Sequence, residues 1–263
     1  MRDKQSVLAV LGVLLVVVGF VWVANRLTAK PAPVAQATPD PSASASDAPS
    51  ASESAPPTAT PTPTPTPTTL PGCTPVPALQ TSPKKFSTPP DVEAVRGRAF
   101  VATITTNCGP ITVELDGAKA PATVSSFVKL ATEGYWAPSP CHRLTTDTDQ
   151  LWVLQCGDPT GTGSGPGPGY HFGIENAPAD GSYPRGTLAM ARTSDPNSNG
   201  DQFFITYKDT TLPASTGGYS IFGRVTSGME IVDRVAAAGV SPTDSMTPMA
   251  QISILSVAAT PKG

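Results

Sequence analysis

Residues 99–115 read AFVATITTNCGPITVEL, and their pattern sets the kind of fold. Phe100, Ala102 and Ile104 alternate with the threonines at 103 and 105, the period-two mark of a strand with one buried face. NCGP supplies a turn, and ITVEL at 111–115 returns as a second strand. Working downstream, KAPATVSSFVKLATEGY reads as a helix. Pro121 lies near its start, Val124, Phe127, Val128 and Ala131 form one stripe, and Gly134 closes it. Residues 141–144 and 152–155 are short strands joined by a polar loop.

The glycine-rich run DPTGTGSGPGPGYHFG follows, and no Lys-Ser/Thr opens a helix after it, which excludes a phosphate-binding loop. GTLAMA, QFFITY and YSIFGRV supply further strands. GMEIVDRVAAAG is a second amphipathic helix, with Met229, Val232, Val235 and Ala236 inward and Gly239 as its cap. QISILSV ends the body as an alternating strand. Many short strands with two isolated helices, and no regular strand–helix alternation, predict a mainly β fold: a closed antiparallel barrel capped by two helices.

Upstream, the composition divides the chain. After six residues expected to be cytoplasmic, residues 7–24 (VLAVLGVLLVVVGFVWVA) carry no charge. That length suits a helix crossing the hydrocarbon core, with Trp22 near one interface. A cleaved signal peptide is the competing reading, but the small-x-small triplet AQA at 35–37 lies well beyond the apolar run. Residues 25–97 read as a Pro/Ala/Ser/Thr-rich disordered linker and lead-in, with too little apolar surface to offset chain entropy. Its TPTPTPTPT section favours extended polyproline II. Such a stalk places the folded body, residues 98–259, outside a single-pass anchor in the cell membrane. The net charge of −3 has no basic surplus and argues against a nucleic-acid partner.

With two His and four Cys, each reactive side chain can be weighed singly. Cys141 and His142 are adjacent on a strand and point to opposite faces, which argues against a thiol dyad. His142 reads as structural, His171 as structural or exposed, and Asp158 as a turn-former that accepts backbone N–H groups. The spacing of Cys73, Cys108, Cys141 and Cys156 lacks the close pairs of a zinc site, so no metal is expected, and nothing demands an organic cofactor. An even number outside the cell favours disulfides, with three connectivities open. Cys141 with Cys156, leaving Cys73 to Cys108, suits strands joined by one loop. One difficulty attends it: if Arg143 and Gln155 share a face, Cys141 lies on that face and Cys156 does not. A β-bulge is then required.

The segments SSFVKLATEGYW, CHRL, VLQCGD, GTG, GTLAMA, NSNGDQFFITY and YSIFGRV, in that order, resemble the cyclophilin family of peptidyl-prolyl cis-trans isomerases. The resemblance spans residues 99–258. It implies an eight-stranded antiparallel barrel closed by two helices, and clients that are Pro-containing polypeptides. It also implies roles. Arg143 takes the catalytic position, Phe204 the floor of a proline pocket, Trp152 and Val153 its lining. Gln155 orients Arg143, Gln202 binds substrate backbone, Ala191 and Arg192 line the groove, Leu212 is a pocket leucine, and Tyr219 stands where many relatives carry His. Thr211 replaces a Trp important for cyclosporin, so binding of that ligand is expected to be weakened. The chemistry fits the residues: rotating an amide breaks no covalent bond, so a fixed guanidinium suffices where no nucleophile is present. The alternative function is a non-catalytic module that holds proline peptides in the same groove.

Overall fold

The computed structural model describes residues 69–263. The expected membrane segment and the linker up to residue 68 lie outside the described residues, among which no helix is long and apolar enough to cross a membrane. β1 (Ala99–Thr106) and β2 (Gly109–Asp116) form the expected hairpin, in register Phe100↔Leu115, Ala102↔Val113 and Ile104↔Ile111. All six of these side chains are buried. The period-two pattern therefore faces one core.

Six more strands complete the ring: β3 (Ser139–Leu144), β4 (Val153–Cys156), β6 (Thr187–Met190), β7 (Phe203–Thr206), β9 (Ile221–Ser227) and β10 (Ser253–Pro261). Their order, β1-β10-β3-β4-β7-β6-β9-β2, closes on itself with antiparallel pairing throughout. Two strands absent from the sequence reading, β5 (Ser182–Tyr183) and β8 (Thr210–Thr211), pair with each other outside the barrel. Helix α1 (Pro121–Thr132) begins at its proline and buries Val124, Phe127, Leu130 and Ala131. Its cap residue, Ala120, has no side-chain acceptor, so Glu175 reaches in from a distant loop. The Glu175 carboxylate accepts the Ala122 and Thr123 N–H groups at 3.0 and 2.8 Å. Helix α2 (Met229–Ala238) buries Val232 and Val235 as expected, and Ile231 besides; Met229 and Ala236 are half-buried at its margin. Phe127 sits at the aromatic centre, with ring centroids 4.8 Å from Trp136, 5.7 Å from Phe203 and 5.5 Å from Phe222. Each such pair adds about 0.5–1.5 kcal/mol beyond area burial.

The disulfides are Cys73–Cys108 and Cys141–Cys156. The bulge required for the second is present: Cys141 pairs with Cys156 and Arg143 with Gln155, with His142 as the extra residue between them. Both sulfurs thus turn to the core while Arg143 and Gln155 share the opposite face. Residues 69–98 are attached rather than loose. The Thr74 N–H donates to the Asn107 carbonyl at 2.8 Å, the Ser125 hydroxyl to the Asp91 carbonyl at 2.6 Å, and Val95 is buried in the core.

Candidate active site

On β4 the side chains alternate across the sheet. Leu154 and Cys156 join the main core, whereas Val153 joins a second apolar cluster with Phe204, Tyr183, Ala189 and Leu212. β7 divides its two phenylalanines likewise: Phe203 packs on Phe127 and Trp136, and Phe204 turns to the second cluster. A cavity of about 110 Å³ opens over that cluster, lined by Arg143, Leu151, Val153, Gln155, Ala191, Arg192, Phe204, Leu212 and Tyr219. Eight of these nine were singled out in the sequence.

Trp152 is a correction. Its indole N–H donates to Asp147 Oδ1 at 2.5 Å, Lys208 Nζ stands 5.3 Å from its ring centroid, and it borders a different, shallow depression. Alternation explains this. If Val153 and Gln155 face the pocket, their neighbour of the same parity is Leu151, and Leu151 is there. The other residue missed in sequence is Tyr183, whose hydroxyl donates to the Tyr219 carbonyl at 3.0 Å and accepts the Tyr219 N–H at 2.8 Å. It fixes the pocket's far wall from beneath, and no local sequence signal marks it.

Polar groups run along one rim. Arg143 Nη1 donates to Gln155 Oε1 at 3.3 Å, Gln155 Nε2 to Gln202 Oε1 at 2.9 Å, and Gln202 Nε2 to the Gly163 carbonyl at 3.1 Å. Among the described residues Gln155 is the single hydrogen-bond partner of Arg143, so most of its five N–H donors remain available to a ligand. Gln202 lies at the end of this relay and outside the cavity lining; it borders an adjoining pocket of about 440 Å³ that it shares with Gln155, Ala191 and Arg192.

The relay ends on the glycine-rich loop, and Asp158 anchors that loop. Its buried carboxylate accepts the N–H groups of Thr160, Gly163 and Gly165 and the hydroxyls of Thr160 and Thr162, as expected for a turn-former. Residue 165 must be glycine, since a Cβ there would lie 2.2 Å from Asp158 Oδ1. Burial alone would raise the Asp158 pKa, but these hydrogen bonds outweigh it and hold the carboxyl below its ordinary value. Asp201 shows the opposite balance. Burial pushes its pKa up to about 6 despite the 2.6 Å bond from the Tyr135 hydroxyl. His142, on the bulge, has no hydrogen-bond partner for either ring nitrogen, and burial holds its pKa below the ordinary value. His171 lines the adjoining pocket. Among the described residues no group of His, Cys, Asp and Glu is placed to hold a metal.

Cyclophilin type peptidyl-prolyl cis-trans isomerases are the family whose model matches, over residues 101–259. A probable peptidyl-prolyl cis-trans isomerase B of Mycobacterium tuberculosis is 40% identical over 167 residues, covering 58% of this chain and 52% of the relative. Its namesake from Mycobacterium leprae is 40% identical over 169 residues, covering 59% and 55%. The chain thus spans about half the length of these curated relatives. Among solved structures, a cyclophilin type isomerase of Cryptosporidium parvum, crystallised in the presence of the dipeptide Ala-Pro, superposes with a TM-score of 0.51 at 33% identity. That match covers 61% of this chain and 98% of the other.

Proposed function

This chain belongs to the family of cyclophilin type peptidyl-prolyl cis-trans isomerases, and from that premise we propose that it accelerates cis–trans isomerisation of X-Pro bonds. The observation that carries the reading is Arg143, set at the mouth of an apolar cavity floored by Phe204 and walled by Val153, Leu151 and Leu212. A proline ring fits such a cavity, and the preceding amide then lies under the guanidinium. Amide rotation faces a barrier of about 18–20 kcal/mol because resonance flattens the C–N bond. A donor aimed at the prolyl nitrogen, or at charge developing on the twisted amide, stabilises the transition state more than the planar ground state. Lowering the barrier by about 7 kcal/mol gives roughly five powers of ten in rate.

The single bond between Gln155 and Arg143 orients the guanidinium without exhausting its donors. This favours an enzyme over a module that merely holds proline peptides. Thr211, exposed on β8, offers no indole at the rim, so cyclosporin is expected to bind weakly. Clients are Pro-containing segments of exported or envelope proteins. The uncharged run at 7–24 and the two disulfides support a body held outside the cell membrane on a single-pass anchor. A protease-coupled assay on a Pro-containing peptide tests the activity. Slow-phase acceleration proportional to enzyme concentration is expected, and its absence in folded protein overturns the reading.

A further inference from the structure

The family match begins at residue 101, yet residues 73–98 touch the loop on which the polar relay ends. Gln80 is the first attachment. Its N–H donates to the Pro159 carbonyl at 3.2 Å, and its side-chain amide donates to the Tyr135 and Pro138 carbonyls, both at 2.9 Å. Leu79 lies against Gly161, where an added Cβ would stand 3.0 Å from its Cδ1. Phe86 is the second. Its N–H donates to the Pro168 carbonyl at 2.8 Å, and its ring takes the Lys129 ammonium at 4.5 Å. Its own carbonyl presses so close to residue 169 that a Cβ there would lie 2.7 Å away. The segment's far end is fixed by the Cys73–Cys108 disulfide.

The loop at 159–169 is therefore gripped from two sides. Asp158 ties Thr160, Gly163 and Gly165 from within; Gln80 and Phe86 hold its two ends from without. Between the grips lies the Gly163 carbonyl, which accepts Gln202 Nε2. A loop this rich in glycine has a large conformational freedom to lose, so external anchors matter to it more than to a strand. We propose that residues 73–98 form a positioning strap for the isomerase site. By fixing the glycine-rich loop from outside, the strap holds the Gly163 carbonyl in place and so sets the Gln202–Gln155–Arg143 relay. The inference rests on the isomerase reading above. None of the strap residues touches the substrate cavity; they act through the loop.

The test uses the full chain with Gln80→Pro and Phe86→Pro combined, which removes both N–H donors and both side chains. Circular dichroism at the assay temperature establishes folding, and Phe86→Pro alone, which still removes the N–H bonded to the Pro168 carbonyl, serves if the double variant does not fold. kcat/KM is expected to fall about tenfold, less than the roughly hundredfold that a full ångström of misplacement costs. In a Gln202→Ala background the same change is expected to cost under about twofold, because the relay it acts through is already broken. A wild-type rate in the strap variant overturns the inference, as does an equal loss in both backgrounds, which marks a general structural effect. Hydrogen exchange gives a readout independent of turnover. The Gly163 and Gly165 amides, bonded to Asp158, are expected to exchange about tenfold faster in the variant, and unchanged exchange overturns the strap. A folded wild-type chain without turnover overturns the isomerase reading, and exchange then decides the strap alone.

Discussion

Two arginines flank the same groove and are held in opposite ways. Arg143 makes one hydrogen bond, 3.3 Å to Gln155. Arg192 is nearly spent: its guanidinium donates to the carbonyls of Gly218, Thr193 and Thr216 and to the Thr216 hydroxyl, and lies 4.9 Å over the Tyr219 ring. Both border the cavity, yet Arg143 keeps four of its five N–H donors for a ligand and Arg192 one. Proximity to a groove does not distinguish a working residue from a supporting one. The count of unspent donors does.

The largest expected effect sharpens that contrast. Arg143→Ala is expected to lower kcat/KM by two to three powers of ten, about 3–4 kcal/mol of transition-state stabilisation, with unfolding temperature nearly unchanged. Arg143→Lys is expected to restore little, since a point ammonium lacks the planar fork. Peptide kinetics alongside thermal unfolding check both, and a folded Arg143→Ala protein with near wild-type rate would falsify the assignment. Phe204→Ala removes the floor between the two arginines. It is expected to cost about 3 kcal/mol of stability, as loss of a buried ring does, and to raise KM, measured by denaturant unfolding and kinetics together.

Asp201 extends the contrast to pH. Its folded pKa of about 6 lies above the ordinary 3.8. The group therefore contributes stability that is present below pH 4 and is lost as pH rises through about 6, by up to about 3 kcal/mol. His142, held below its ordinary pKa by burial, has the opposite sign and is common to both proteins. The difference between wild type and Asp201→Asn across pH 4–6 isolates the carboxyl; parallel stability curves would remove it from the account. Arg192→Ala is expected to reverse the Arg143 pattern. It should cost about 1–2 kcal/mol of stability through the hydrogen bonds that fix residues 216–218, with a modest rise in KM and kcat within a few-fold. A loss of kcat equal to that of Arg143→Ala breaks the comparison outright. Trp152→Ala is the smallest for turnover: half-buried, bound to Asp147 and beneath Lys208 away from the cavity, it should leave kcat/KM within about twofold, although it costs some stability.

What could be read in advance followed from period and order. The alternation at Phe100, Ala102 and Ile104 gave the first strand and its buried face, and two phenylalanines in succession gave one residue to the core and one to the pocket. Even a bulge was demanded on paper, since Cys141 and Arg143 lie two residues apart on one strand but Gln155 and Cys156 only one apart on the other, and an unbroken ladder cannot pair both; the structure puts it at His142. Trp152 shows where carrying a role across by alignment loses to local geometry: its parity disagrees with that of Val153 and Gln155, and Leu151 takes the wall. β5 and β8, two residues each, are too short to carry any period. The strap was illegible for another reason. Its anchors are single residues, Gln80 and Phe86, in a proline-rich stretch, and their partners lie more than fifty positions away for the Gln80 side chain. No local pattern encodes a contact at that separation.

A strand with an unpaired edge is a template, because any extended chain can add itself to the open row of N–H and C=O groups. Unfolded polypeptides are extended chains of that kind, and the isomerase activity proposed above brings a protein into contact with them. In the eight-strand ring, joined from β2 back through β1, every strand has a neighbour on each side and most of these rows are taken. Outside the ring, β5 and β8 are too short to seed a ladder; within it, β10 beyond Ile254 has β1 on one side only, since β3 pairs with it at Ser253 and Ile254. On the isomerase reading proposed above, closure leaves few strand edges for a client to join and makes the groove the place built to take one. On that reading a client is held there by a proline ring and a few side chains, and it can leave.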